Sequence, residues 1–177
     1  ERLCAWSIPA LGLGVVMAAG GFGWLWRGRA VGLLAAGLVA CLPAAVSSSM
    51  VGVVDHDVAV ALVAALAFAA CIAALKTPGR PLRWAWAAAA GLLLGLNLWM
   101  WPGSILIVIV ASGGFVALAV TETLHQGEGW VPWDVPGVAL LVAWAVIQEV
   151  HLGAPQSPQR VSFAFLSDFH TVIALAC

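Results

Sequence analysis

The chain has 177 residues, of which 63% are hydrophobic and only 8% are charged, and its mean hydropathy is +1.05. A soluble domain carries about 25% charged residues, so this composition excludes an ordinary soluble domain and indicates a protein whose surface faces lipid. The net charge of −1 offers no basic field that would attract nucleic acid, which is therefore excluded as a partner.

Six apolar runs approach the length of a membrane span, which needs about 20 mostly apolar residues. They cover residues 4–25, 30–46, 58–75, 84–99, 104–120 and 135–150, and a further run begins within residues 163–177. The runs are continuous and rich in alanine and leucine, which favours helices over the alternating strands of a membrane barrel. The sequence thus predicts an all-α polytopic bundle of six to seven membrane helices.

The two ends of the chain suggest that it is part of a larger protein. It begins at Glu1 without a methionine and stops at Cys177 inside an apolar run. We therefore expect residues 1–177 to be a transmembrane domain fragment without a soluble C-terminal domain.

The connections between the runs alternate in charge. Residues 27–29 and 76–83 are basic and are expected on the cytoplasmic side, because lysine and arginine are retained there. That choice places residues 47–57 and 101–103 at the outer face. It also places the connection at residues 122–134 at the inner face.

An acidic pair interrupts the apolar sequence MVGVVDHDVAVAL at residues 50–62. Asp57 directly precedes an apolar run and suits an N-cap, but capping requires neither Asp55 nor His56. In extended backbone Asp55 and Asp57 project to the same side and could share one Mg²⁺ or Mn²⁺ ion, since carboxylates favour such hard cations. The pattern therefore predicts a metal-binding pair, Asp55 and Asp57, in a loop or at a helix start. In the same geometry His56 points away.

Two stretches resemble the catalytic subunit of oligosaccharyltransferase, the enzyme of asparagine-linked glycosylation. The segment SSSMVGVVDHDVAVAL at residues 47–62 is similar to the family's second acidic motif, with a glycine three residues before an Asp-X-Asp and a valine-rich helix after it. NLWMWPGS at residues 97–104 is similar to a Trp/Gly stretch two helices later. The chain departs from the family at Ser48, where an arginine is common, and at Val60, where archaeal-type members often carry an acid.

The resemblance implies a GT-C-like membrane glycosyltransferase of the bacterial or archaeal type. Such an enzyme would transfer an oligosaccharide from a polyprenyl-pyrophosphate lipid to an asparagine of an acceptor polypeptide. It would act at the outer face of a prokaryotic plasma membrane, with Mg²⁺ or Mn²⁺ as cofactor and with Asp55 and Asp57 as catalytic residues that hold the cation. The resemblance further implies a first acidic motif before Glu1 and an external-loop glutamate and a soluble domain beyond Cys177, so the fragment itself is expected to be inactive.

The resemblance also adds substrate-binding candidates at the outer face, namely His56, Trp101 and Gly103. An alternative role for Trp101, together with Trp99, is to anchor the protein at the membrane interface. Asn97 lies within an apolar run, where an amide is expected to bond a neighbouring helix.

Two other functions remain open from the sequence. A transporter or permease could use Asp55 and Asp57 as an ion-coupling site, although such sites usually lie near the bilayer midplane within inverted repeats, which this sequence lacks. A different glycosyltransferase that uses a lipid-phosphate sugar would also place its acids outward. Gln148, Glu149 and His151 at the end of the sixth run, and Asp168 with His170, are polar groups for which a structural role is expected.

Overall fold

The computed structural model describes residues 2–50, 57–124 and 134–153, and all regular structure in these residues is helical. The all-α prediction is therefore confirmed for this part of the chain. The described residues form seven α-helices: α1 Arg2–Arg27, α2 Arg29–Cys41, α3 Pro43–Ser48, α4 Asp57–Lys76, α5 Arg80–Met100, α6 Ile105–Leu124 and α7 Asp134–Gly153. A short 3-10 helix, Pro102–Ser104, stands between α5 and α6.

Within the part of the chain that the structure describes, two helices are long and apolar enough to cross a membrane by length and composition. These are the stretch Trp6–Arg27 within α1 and the whole of α4. Shorter apolar stretches occupy α2, the first part of α6 and the first part of α7. The run expected to begin within residues 163–177 lies outside the described residues.

The apolar run at residues 30–46 forms two helices where one had been expected. Leu42 is extended, with φ −69° and ψ 121°, and separates α2 from α3. Proline disfavours helical backbone in the residue before it and also starts helices well, so Pro43 ends α2 and begins α3. Hydropathy cannot detect this break because proline interrupts the backbone without making the run polar.

Two other helix boundaries also differ from the expected ones. Helix α5 begins at Arg80, within the connection expected at residues 76–83, because Pro81 lies in its first turn, where a missing N–H costs nothing. Helix α6 continues to Leu124, so the first residues of the connection expected at 122–134 are helical.

Four helix pairs form the bundle: α1 with α2, α1 with α4, α4 with α5, and α5 with α7. Gly28 reverses the chain between α1 and α2 with φ 96°, a conformation that favours glycine. Helices α5 and α7 run parallel, since Gly91 faces Ala139 while Gly95 faces Val146. A Cβ at Gly91 would collide with the carbonyl oxygen of Ala139, so the sequence GLLLG at residues 91–95 permits an approach that larger residues would block.

The apolar core of the described residues consists of two clusters. One cluster joins α4, α5, α6 and α7, and the other joins the same helices nearer to their opposite ends. The buried members of the first cluster are Ala67, Leu94, Leu98, Ile105, Val108, Ala111, Ala143 and Ile147. Those of the second are Ala70, Cys71, Ala74, Ala87, Ala90, Phe115, Val135 and Ala139.

The helix directions give the bundle two chemically different ends. At one end, α1 and α4 finish while α2, α5 and α7 begin. Five basic residues lie at these helix ends, and we call this part of the bundle the basic end. At the other, α3 finishes and α4 begins close to where α5 finishes; we call it the Asp57 end. The basic residues are Arg27, Arg29, Lys76, Arg80 and Arg83.

Candidate active site at the Asp57 end

Asp57 is the first residue of α4, and its side chain is exposed. The acidic motif was expected in a loop or at a helix start, and this part of it stands at a helix start. A carboxylate in this position is stabilised by the positive end of the helix dipole. Asp55 and His56 lie outside the described residues.

A run of three serines ends α3 beside this helix start. Ser48 Oγ donates to Ala44 O at 2.8 Å, and Ser49 Oγ donates to Ala45 O at 2.6 Å. Ser47 Oγ also donates to Ala44 O, at 3.1 Å. Such side-chain bonds to nearby carbonyls compete with helical backbone bonds and favour the end of a helix. Because each hydroxyl donates its hydrogen bond to a backbone carbonyl, its oxygen lone pairs remain available as acceptors.

The serines and the aspartate share a cavity of about 550 Å³. Its walls come from α1, α2, α3 and α4, and its polar lining consists of Ser47, Ser48 and Asp57. The described residues around it include no lysine or arginine. The apolar lining residues are Gly12, Val15, Val39, Leu42, Ala44, Ala45, Val58 and Ala61.

Asn97 connects the end of α5 to the start of α4. Its Nδ2 donates to Val60 O at 2.8 Å, and its side chain is buried. Val60 lies three residues after Asp57, which is about one helical turn. The expectation that Asn97 bonds a neighbouring helix is therefore confirmed.

The Trp101–Gly103 turn follows on the same side. Trp101 N–H donates to Asn97 O at 3.0 Å, and Trp101 itself is extended, with φ −153° and ψ 118°, which ends α5. Ser104 N–H then donates to Trp101 O at 2.9 Å. The Trp101 indole lies directly over Gly103, because a Cβ at that glycine would be 2.6 Å from the ring. The structure thus brings two of the substrate-binding candidates into contact, at the bundle end that carries Asp57.

The chemistry of the described residues at this site suits a hard cation. Asp57 offers carboxylate oxygens, which Mg²⁺ and Mn²⁺ favour as ligands, and the serines offer further oxygen acceptors beside them. No three His, Cys, Asp or Glu residues converge within residues 2–50, 57–124 and 134–153. A complete ligand set therefore requires Asp55 or a group from elsewhere.

At the basic end most of the charged groups have partners within the fold, although Arg83 Nε is buried without a hydrogen-bond partner among the described residues. Lys76 Nζ donates to the carbonyl of Leu25 and, at 2.7 Å, to that of Trp26, the last carbonyls of α1. Arg83 pairs with Asp134 at 3.0 Å, and the Trp84 indole N–H donates to the same carboxylate. The Trp84 hydrogen bond and the Arg83 guanidinium hold the pKa of Asp134 below its usual value.

Asp134 also bears on the expected topology. Its pairing with Arg83 puts the end of the connection at residues 122–134 on the same side as the basic connections, as the sequence predicted.

The family model for oligosaccharyl transferase STT3, N-terminal, matches residues 2–173. The chain belongs to this family. The match confirms the resemblance and, with it, a membrane-associated glycosyltransferase of the oligosaccharyltransferase type. No curated protein and no solved structure matches the chain.

Sequence reasoning did not identify two features of this site. The first is that Ser47 and Ser48 line a cavity with Asp57; the run of three serines after a proline-initiated helix was the available signal. The second is that Asn97 bonds the first turn of α4 in particular. Its polarity in an apolar run was visible, but the identity of its partner depends on which helices are neighbours.

Proposed function

We propose that the protein is a polytopic membrane oligosaccharyltransferase that transfers an oligosaccharide from a polyprenyl-pyrophosphate lipid to the side-chain amide of an acceptor asparagine. One observation carries the proposal: in a chain of this family, Asp57 of the acidic motif stands at a helix start and lines a cavity with Ser47 and Ser48. A pyrophosphate and an acceptor amide both require such a polar space beside an apolar surface.

The described surface supports a membrane location for the helices. Large apolar side chains are exposed along α1 and α2, including Met17 at 69% and Leu33 at 77%. Contiguous exposed apolar surface of this kind indicates contact with lipid or with other protein. The basic end then faces the cytoplasm, since basic residues are retained there, and the Asp57 end faces outward from a prokaryotic plasma membrane.

Each residue of the site has a defined task in this mechanism. Asp57, together with Asp55, would hold Mg²⁺ or Mn²⁺, and the bound cation supplies positive charge that stabilises the departing pyrophosphate. Asp55 would also accept a hydrogen bond from the amide of the acceptor asparagine. Trp101 over Gly103 offers a flat indole surface for the donor's sugar or lipid phosphate, and His56 is a further polar contact to substrate.

The location of Asp57 argues against the transporter alternative. Ion-coupling acids usually lie near the bilayer midplane on broken helices. Asp57 is the first residue of a helix of 20 residues, which is about the length of one membrane span. The acid therefore lies at a rim of the bundle.

The test compares substitutions of Asp57 in the full-length protein, reconstituted in lipid with a lipid-linked donor and an asparagine-containing peptide. We expect Asp57→Ala, Asp57→Ser and Asp55→Ala to abolish transfer, because each removes a charged metal ligand, and His56→Ala to have a much smaller effect. The matched control is Asp134→Asn, which neutralises a carboxylate at the opposite end and should transfer as the wild type does.

Manganese titration separates a ligand from a helix cap. If Asp57 only caps α4, serine replaces it well and costs little stability. Full transfer by Asp57→Ser at wild-type Mn²⁺ concentrations would therefore refute the metal role of Asp57.

A further inference from the structure

Asn97 is a buried amide in an otherwise apolar part of α5. Its side chain is 1% exposed, and the buried leucines Leu94 and Leu98 lie beside it in the same helix. Nδ2 lies 2.8 Å from Val60 O. A carbonyl oxygen can only accept a hydrogen bond, so the amino group must face Val60, and this contact fixes the orientation of the amide.

The other half of this amide is not satisfied in the same way. Asn97 Oδ1 is buried and has no hydrogen-bond partner among the described residues. Burying such an acceptor costs stability, and a leucine would fill the position as its neighbours do. Apolar packing alone therefore does not explain an asparagine at this position, and polar residues inside a membrane bundle are commonly functional.

The bonds of Asn97 connect the two parts of the proposed site. Its side chain holds the carbonyl of Val60, one turn after Asp57, and its backbone carbonyl accepts the N–H of Trp101. Because the side-chain bond acts on the backbone of the first turn of α4, it holds the start of that helix and with it the Cα of Asp57. One residue thus sets the spacing between the carboxylate and the indole that covers Gly103.

We propose that Asn97 is a positioning residue that holds Asp57 at the correct distance from the Trp101–Gly103 turn. This inference rests on the proposed function. Asn97 itself touches neither metal nor substrate; it acts through the backbone of Val60. Loss of the bond leaves every ligand in place but lets the helix start shift, so the site should bind metal less tightly and transfer more slowly.

The experiment measures transfer by the full-length protein in lipid as a function of Mn²⁺ concentration, together with thermal stability. Asn97→Leu keeps the volume and removes the donor. Asn97→Ser has a hydroxyl too short to reach Val60, and it provides the test if the leucine variant does not accumulate. We expect both to raise the Mn²⁺ concentration for half-maximal transfer roughly tenfold, the effect of one buried hydrogen bond, and to lower kcat.

The control removes a different buried polar group. Ser112 on α6 is 6% exposed, and its Oγ has no partner among the described residues. Ser112→Ala should keep the wild-type Mn²⁺ dependence and kcat. A purely structural role for Asn97 would lower the melting temperature and the yield, with the Mn²⁺ dependence of the remaining folded protein unchanged.

The outcomes separate this inference from the function on which it rests. Suppose that the wild type transfers with Mn²⁺ and that a folded Asn97→Leu or Asn97→Ser variant has the same Mn²⁺ dependence and kcat. This result overturns the positioning role alone. A wild-type protein without cation-dependent transfer overturns the proposed function, and this inference with it.

Discussion

The polar groups at the two ends of the bundle differ in kind: cations and an ion pair gather at the basic end, and hydroxyl groups and a carboxylate at the Asp57 end. At the basic end, Lys76 caps the last carbonyls of α1, and Arg83 and Trp84 hold Asp134. At the Asp57 end, Ser47, Ser48 and Asp57 surround a cavity of about 550 Å³ whose described lining includes no basic residue.

We interpret the basic end as structural, because most of its charged groups have partners within the fold. An ionised group in an apolar chain loses favourable hydration, which lowers the stability of the folded state. At the basic end, hydrogen bonds and an ion pair offset this loss. Arg29 over Trp24 and Arg80 over Trp84 add cation–π contacts there, at 5.7 and 4.5 Å from the ring centroids. The polar groups of the Asp57 end also line a cavity, which gives a ligand room to bind and makes this end the candidate site.

The largest expected effect concerns the sidedness of the two ends. In a cysteine-free background, Ser47→Cys should react with a membrane-impermeant thiol reagent added outside, and Gly79→Cys should react only after the membrane is opened. Ser47 is exposed at the Asp57 end, and Gly79 is exposed at the basic end. Labelling of Gly79→Cys from outside, with protection of Ser47→Cys, would reverse the orientation and remove the outward-facing site.

The next largest effect concerns the helix contact that supports both ends. Gly91→Ala places a methyl group against the carbonyl of Ala139, and we expect it to lower the free energy of unfolding by about 1–3 kcal/mol, the usual cost of overpacking. Gly37→Ala is the matched control, because a Cβ there meets nothing within 4 Å. It should be neutral or stabilise the protein by up to about 1 kcal/mol, since alanine favours helix over glycine. Thermal unfolding in detergent measures both, and equal effects would contradict the close α5–α7 contact.

The sequence predicts the helices better than it predicts their arrangement. Continuous apolar runs predict helices because backbone groups in lipid must be satisfied within a segment, and the described residues are helical in these regions. The break at Leu42 was available in the sequence, since Pro43 restricts the residue before it. GLLLG at residues 91–95 indicates a close helix approach, but the motif does not identify α7 as the partner.

The candidate site could be predicted only in part, for the same reason. Asp57 could be predicted as a site residue because two acidic residues within an apolar sequence are visible without knowledge of the fold. The bond from Asn97 to Val60 joins residues 37 positions apart, and the cavity beside Ser47 depends on four helices. Such features follow from tertiary packing, which local composition does not encode.

A smaller effect, on the KM for the lipid-linked donor, tests whether Trp101 binds substrate while the nearby Trp99 does not. Trp101→Ala should raise the KM for the lipid-linked donor about threefold to tenfold, the range expected for losing one aromatic stacking contact. Gly103→Ala should have part of this effect, because its methyl group displaces the indole. Trp99→Ala is the control, since that side chain is 62% exposed and precedes the turn. Equal donor KM values for the Trp99 and Trp101 variants would contradict a substrate-binding role for Trp101.

The smallest effect concerns the ion pair at the basic end. Asp134→Asn should lower the free energy of unfolding by less than about 1 kcal/mol at pH 7, because the Arg83–Asp134 pair is partly exposed to solvent. The pKa of Asp134 is lowered in the folded state from the usual 3.8, first by the Trp84 hydrogen bond and then by Arg83. A lowered carboxylate pKa contributes stability that is fully present above the unfolded value and is lost as the pH falls through the folded value.

The stability difference between the wild type and Asp134→Asn should therefore be constant from pH 8 to pH 6 and shrink below about pH 4. Trp84→Phe keeps a ring beneath Arg80 but removes the indole N–H. The pKa of Asp134 in the folded protein should then lie closer to its usual value, so the carboxylate's contribution to stability should be lost at a higher pH than in the wild type. Arg80→Gln is the control, because Arg80 contacts the Trp84 ring and not the carboxylate, and its difference from the wild type should stay flat over the same range. Thermal unfolding across this pH range measures all three variants. A difference for Asp134→Asn that grows on acidification would show that the carboxylate is not stabilised in its charged form and would contradict the role given to Trp84 and Arg83.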